Sequence, residues 1–288
     1  MNTIGDFYDL FDLRKQESII EKINNFLEKN SIETIDQKNK NTLLLAAIAD
    51  NNLEIVQFLI SKEANVNGNR KAAFYPLERA VMTGDINIVK ALDATGKLEY
   101  HRKEDQSLVY SVAFNDSIDI CSFLLNKGMD INRKDSDDYT ALHWAMQHQD
   151  IAMIQMLINH GANINVVNSD GHTPLYQAAG DNNMNEIKLL LNCGATVDLT
   201  KNYTPFMIAC ALGHYEIATK LIHYGANVDF KDNDGRTALF YCKIRQNNKM
   251  ENFLLSIGAS SDITDNFGIS IQDLENDSIR KKLYDDLY

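Results

Sequence analysis

The sequence predicts an all-α repeat solenoid, and three observations carry that prediction. A Thr or Ser followed by apolar residues recurs at Thr42, Ser107, Thr140, Thr173, Thr204 and Thr237, with Tyr75 as a variant, at spacings of 33, 32, 33, 33, 31 and 33 residues. A near-constant period in that range is the signature of a stacked array. Each unit holds two short amphipathic segments, too little to bury a core alone, so units must stack on their neighbours. A Gly-Ala pair closes the unit twenty-one residues after the Thr, as at Gly161-Ala162.

Each recurring residue has a local physical reason. The Thr caps the first helix, because its hydroxyl accepts from a backbone N–H that has no partner inside the helix. Pro76, Pro174 and Pro205 follow such positions, and Pro at the first helical residue forfeits no needed donor. Small pairs such as Ala46-Ala47 and Ala178-Ala179 let neighbouring helices approach closely. Gly161, Gly194, Gly225 and Gly258 end the second helix, where a left-handed residue without a Cβ is favoured. Asp232 to Gly235, an Asp-x-x-Gly turn, is expected to project between units, with Gly supplying positive φ.

Taken in order, residues 1–35 read as an N-terminal helical cap, in which Ile19, Ile20, Ile23, Phe26 and Leu27 share one face. Residues 36–264 hold seven repeats, and 265–288 open like a repeat, turn polar and charged, and read as a C-terminal cap, giving one continuous domain. In the first repeat Ile55, Val56, Leu59 and Ile60 form the buried face of the second helix, while Glu63 stands where later units have Gly. The turns at 67–75 and 97–107 are the most irregular. The fifth repeat departs at Glu186, where the other units carry an apolar residue, and the turn that follows is two residues short. In the fourth, Asp138 replaces the turn Gly.

The pattern D-x-x-G-x-T-P-L-x-x-A followed by G-x-x-x-I-V-x-x-L-L-x-x-G-A-x-V-N, recurring from about residue 36 to 264, resembles the ankyrin repeat family. That resemblance implies an ankyrin repeat array of stacked antiparallel helix pairs in an L-shaped, curved solenoid, with projecting β-hairpin turns. It further implies binding of another protein through the hairpin tips and the concave face of the first helices. It also implies that His143, three residues after Thr140, bonds to the turn backbone.

Composition narrows the function. Apolar content of 44% and charged content of 24% describe a folding chain. The net charge of −12 and the lack of a basic stripe disfavour nucleic acid, whose phosphates must be neutralised by Lys and Arg. No apolar run approaches the roughly 20 residues of a membrane-spanning helix, and MNTIGDFYDLFDLRKQE has no signal-peptide pattern. Cys121, Cys193, Cys210 and Cys242 sit singly at helical positions and read as reduced core thiols. The expected setting is the cytoplasm, or the cytosol of a host cell after secretion.

No H-E-x-x-H, phosphate loop, nucleophile elbow or carboxylate constellation is present, so no enzyme, metal or cofactor is expected. An enzymatic alternative would place a site at repeats two and three on His101, Glu104 and Asp105. Carrying the family's variable positions onto this chain gives the expected partner-binding residues. The position before the Thr supplies Phe74, Gln106, Tyr139, His172, Tyr203 and Arg236. Positions seven and eight after it supply Met82, Phe114, Asn115, Gln147, His148, Asp181 and Arg245, and the fourth supplies Arg79, Trp144 and Tyr241. Several are aromatic or Arg, the types enriched in binding hot spots. Phe114, Tyr139, Trp144 and His148 form the expected centre; the bland alternative is that these rings only pack between repeats. The expected function is a non-catalytic protein-binding module, monomeric when unbound. The Asn, Lys and Ile bias fits a bacterial effector that binds a host protein, with an immunity or inhibitor protein plugging a toxin as the alternative.

Overall fold

Residues 19–34, 42–68, 74–100, 108–109, 111, 114, 117–200 and 202–286 are described by a computed structural model. The chain divides into two compact units, Met1–Asp135 and Ser136–Tyr288. Among the described residues the regular structure is helical, with a single isolated bridge between Thr264 and Ser270.

The first unit contains α1 (Ile19–Leu27), α2 (Leu43–Ala49), α3 (Leu53–Ser61), α4 (Pro76–Thr83), α5 (Ile86–Asp93) and α6 (Ile118–Asn126). α2 packs on its own partner α3 and on α4, α4 on α5, and α5 on both α3 and α6. Helix α1 buries Ile19, Ile23 and Phe26 of its expected apolar face. The stretch after Gly96, irregular in sequence, is anchored by Asp93, whose carboxylate accepts from the Tyr100 hydroxyl at 2.6 Å and from Lys127 Nζ at 2.8 Å.

The second unit contains α7 (Ala141–Gln147), α8 (Ile151–Asn159), α9 (Pro174–Gly180), α10 (Met184–Asn192), α11 (Pro205–Leu212), α12 (Tyr215–His223), α13 (Ala238–Ile244) and α14 (Asn248–Ser256). A 3-10 turn (Gln272–Glu275) and α15 (Asp277–Asp286) follow. First helices stack directly, α7 on α9, α9 on α11 and α11 on α13, and each also packs on its own second helix. The small residues at their contact face allow that approach: Ala145, Ala178, Ala179, Ala209 and Ala238 are fully buried.

Most described helix ends form as the motif requires, with Thr237, whose buried hydroxyl makes no cap bond, as a departure. Thr42, Thr173 and Thr204 Oγ1 accept from the N–H three residues on, at 3.3, 3.1 and 3.1 Å. At Thr140 the cap is reciprocal, because the Thr140 N–H donates to Nδ1 of buried His143 at 3.1 Å. Pro76, Pro174 and Pro205 each occupy the first helical residue. Nine residues after the Thr the backbone is left-handed in every described unit: Gly84 and Gly213 hold that position in two, and Asn51, Gln149, Asn182 and Gln246 in four others. Glu63 adopts φ 65° and Asp138 φ 62° where neighbouring units use Gly, a strain that a β-carbon makes real.

Consecutive repeats are also tied by polar side chains. Asn67, Asn165, Asp198 and Asp229, each following the Val or Ile that closes its repeat, accept from a backbone N–H about one repeat later at 2.8 to 2.9 Å. This explains why Asn or Asp stands there in every repeat but the second, which has Tyr100. His214 Nδ1 makes a comparable link to the Ala179 carbonyl at 2.9 Å. Cys121, Cys210 and Cys242 are free and buried as expected, but Cys193 is exposed: it stands at the C-cap of α10, beyond the helix's buried stripe.

Glu186 is the one break in the core pattern. The third residue after the N-cap of each second helix is buried, and it is Ile55, Ile88, Ile120, Met153, Ile217 or Met250 in the other units. In α10 it is Glu186, 0% exposed, with no hydrogen-bond partner for either carboxyl oxygen. Burial, aided by the nearby Asp181 charge, pushes its pKa up to about 7.

Candidate binding groove

In the second unit the residues before each Thr and the exposed ends of the first helices line a groove. A cavity of about 540 Å³ is lined by Tyr139, Gln147, Gln149, Asn168, His172, Tyr176, Gln177, Gly180, Asp181, Ile208 and Leu212. A smaller one of about 150 Å³ continues it past Tyr176 and Ile208 to Tyr203, Met207, Ala211, Tyr241 and Arg245.

The turn that positions each tip residue is built the same way three times. Asn168, Asp232 and Asp265 each donate their N–H to the carbonyl four residues on, at 3.1, 3.0 and 2.9 Å. Each returns a side-chain oxygen to that residue's N–H, at 2.9, 2.8 and 2.9 Å. The shortened turn of the sixth repeat closes differently, with Thr200 Oγ1 donating to the Tyr203 carbonyl at 2.6 Å. These closures fix the direction in which His172, Tyr203 and Arg236 leave the backbone.

The rings come in short stacks. Tyr139 meets Trp144 at 5.5 Å between centroids, and Trp144 meets His148 at 6.3 Å. His172 lies flat on Tyr176 at 4.0 Å with 13° between planes. Burial holds the His172 pKa below the usual imidazole range against the pull of Asp170, so near neutral pH it presents an uncharged aromatic face. On the opposite rim burial raises the Asp181 carboxyl, opposed by His214.

Four expected residues, Tyr139, Gln147, His172 and Asp181, therefore share one cavity, and Tyr203 and Arg245 share the next. Trp144, half-buried, and His148, exposed, stand beside Tyr139 and do not line the larger cavity. Phe74, Arg79, Met82 and Phe114 belong to the first unit, where the Arg79 guanidinium lies 5.5 Å from the Phe74 ring and Phe114 is 57% exposed. Gln106 and Asn115, like His101, Glu104 and Asp105 of the enzymatic alternative, lie outside the described residues.

Two expected contact residues are instead buried. Tyr241 is 3% exposed, and its hydroxyl donates to Asp232 Oδ2 at 2.5 Å. With that proton committed, the Tyr203 hydroxyl is the donor in their 2.9 Å contact. Arg236 is 7% exposed, paired with Asp265 at 3.2 Å and Asp234 at 3.3 Å and lying over the rings of Phe240 and Phe267. Arg236 is taken up by the next turn through Asp265 and Phe267, and Tyr241 by Asp232 and Tyr203. Conversely, Ile208 and Leu212 line the groove and were passed over, although they sit four and eight residues after Thr204, in the same register as the expected positions.

Comparison with known proteins settles the family. A family model described as ankyrin repeats in three copies matches residues 14–98, 77–168, 153–232 and 200–266. The chain belongs to the ankyrin repeat family. Ankyrin repeats are protein–protein interaction modules and generally non-catalytic scaffolds. Similar curated proteins include an ankyrin repeat protein of Fowlpox virus (strain NVSL), 27% identical over 43% of this chain and 30% of its own length. Human transient receptor potential cation channel subfamily A member 1 is 30% identical over 84% of this chain and 20% of its own. Alpha-latrocrustotoxin-Lt1a of Latrodectus tredecimguttatus is 31% identical over 34% and 7%. The chain thus spans less than a third of each of these relatives. Among the described residues no helix is long and apolar enough to cross a membrane.

Proposed function

We propose that this ankyrin array binds a protein partner in the groove between Tyr139 and Arg245, as a monomer with the partner's surface laid across the turns and the first helices. The observation that carries this is the groove's lining: His172 stacked on Tyr176, with Tyr139 and the aliphatic Ile208 and Leu212, the latter 41% exposed, among the polar Gln147, Gln177 and Asp181. Aromatic and aliphatic groups mixed with polar ones are the make-up of a protein interface. Turns closed by paired hydrogen bonds hold those side chains in place before binding, so little ordering is lost when a partner docks. A bacterial effector or an immunity role rests on the Asn-, Lys- and Ile-rich composition, and relatives from a virus, a spider and human add nothing to it.

The test is affinity capture followed by titration of the recovered partner, comparing wild type with the Tyr139→Ala, Trp144→Ala double variant. Removing two aromatic anchors is expected to weaken binding by about 30-fold or more, the equivalent of about 2 kcal/mol. The melting temperature should move by only a few degrees, since both residues lie at the surface of the helix stack. A large drop in melting temperature, with unchanged affinity for the fraction of the variant that remains folded, would show that these rings serve packing.

A further inference from the structure

The last helix does not sit where a repeat's second helix sits. α15 packs on α13, the first helix of the preceding unit, and on the 3-10 turn Gln272–Glu275. Among the described residues no other second helix packs to that extent on the first helix of the unit before it. Its Ile279, Lys282 and Leu283 face a cavity of about 750 Å³ whose other wall is made by the turn residues Tyr203, Asp234, Arg236, Phe267 and Ile269. Its other edge meets Ile244, Arg245 and Gln246 at the end of α13. Tyr203 and Arg245 belong also to the binding groove, so α15 lies at that groove's far end.

The chemistry of this seat is that of a helix receptor. Ile279 and Leu283, four residues apart, share one face of α15. Leu283 is buried and Ile279 half-buried. Between them Lys282 shares that cavity with Asp234, while Arg280 and Lys281 lie on the other edge of the helix with Arg245 and Gln246. On the open side Phe267 is 69% exposed, an aromatic surface that α15 leaves uncovered.

The helix is also weakly held. Asn276 caps it, its Oδ1 accepting from Ser278 N at 2.9 Å, so the segment can turn helical locally. A ten-residue helix is marginal in water, however, and Asp285 in the last turn opposes the helix dipole. Apart from its two aliphatic residues, the hold on the rest of the fold includes one side chain, Arg280, which donates to the Leu274 carbonyl at 2.9 Å and, with the Gln246 amide turned to accept, to Gln246 Oε1 at 2.6 and 2.9 Å.

We propose that α15 is a displaceable occupant of the binding face at its last two turns, and that this seat accepts in its place a partner helix with an aliphatic pair four residues apart and a lysine between them. The proposal rests on the groove being the binding face. A helix tethered this closely has an effective concentration in the millimolar range, so a competing helix must bind at two places, along the groove and in the seat, to displace it. Its own sequence supplies the probe.

The test uses a synthetic peptide of residues 275–288 added to the full chain and to an Ile279→Asp, Leu283→Asp variant. The peptide should bind the variant, whose own helix is released, at least tenfold more tightly than wild type, and a scrambled peptide should bind neither. Equal or absent binding to both overturns the proposal. Hydrogen exchange on wild type guards against a misfolded variant: amides of 277–286 should exchange at least tenfold faster than those of 238–244, through local opening. Exchange of the two segments together would make α15 an integral part of the core and would also overturn it. No partner is needed in either assay, so their failure leaves the groove's function to the Tyr139 and Trp144 variants.

Discussion

Replacing Glu186 by Leu is expected to stabilise the protein by about 3 kcal/mol at pH 8 and by far less at pH 4. The folded state raises this carboxyl from 4.5 to about 7, because it is sealed in the second-helix layer without a partner and beside Asp181. A shift of that size corresponds to about 3 kcal/mol of differential free energy. The sign follows from proton binding. Between the unfolded and folded values the unfolded chain has released its proton while the folded chain retains it. Stability from this group is therefore full below about 4.5, falls as pH rises, and levels off above about 7. Leu removes the dependence and restores the aliphatic residue of the six equivalent positions. Glu186→Gln is the control: it should flatten the pH profile equally but stabilise less, since a buried amide without partners still loses its hydration. Urea unfolding of the three proteins from pH 4 to 8 reads this directly, and parallel profiles for wild type and Leu variant would refute it.

The opposite effect, a loss of about 3 kcal/mol, is expected for Asp232→Ala. This buried carboxylate accepts from Asp234 N at 2.9 Å, Arg236 N at 2.8 Å and the Tyr241 hydroxyl at 2.5 Å. Removing it leaves two backbone donors and a phenol in a site closed to water, and each such orphan costs about 1 to 3 kcal/mol. Asp232→Asn keeps one oxygen for the backbone donors and should lose less. The change should appear as an early unfolding step confined to residues 200–286, seen by hydrogen exchange, because stacked repeats are coupled mainly to their neighbours. A loss below about 1 kcal/mol, or uniform destabilisation of the whole chain, would count against a network that closes this tip locally.

These two residues also mark how far sequence carries. The repeat was legible because Thr, Pro, Ala and Gly act within a few residues of themselves: a cap, a first-turn φ, a close approach and a left-handed end each depend on local geometry. Glu186 was legible as a departure, but that both its oxygens are orphaned depends on what α9 and α12 bring against it. The groove was legible in part. Register picked out Tyr139, Gln147, His172 and Asp181, which line one cavity, and would have added Ile208 and Leu212 had aliphatic residues been weighed with aromatic ones. Arg236 and Tyr241 occupy expected positions yet are buried, because Asp265 and Phe267 of the following turn take up the first and Asp232 and Tyr203 the second. The direction taken by α15 had no local signal at all, since its Ile279 and Leu283 would suit a regular second helix equally well.

The central claim, that a partner is held in the groove of the second unit, is tested most directly by hydrogen exchange of the bound complex against the free chain. Slowed exchange is expected in the turns at 168–172 and 200–203 and at the first-helix ends 144–149, 177–182 and 208–213, with the second helices 151–159, 184–192 and 215–223 unchanged. Protection confined to those second helices, with the turns and first-helix ends exchanging as in the free chain, would contradict it.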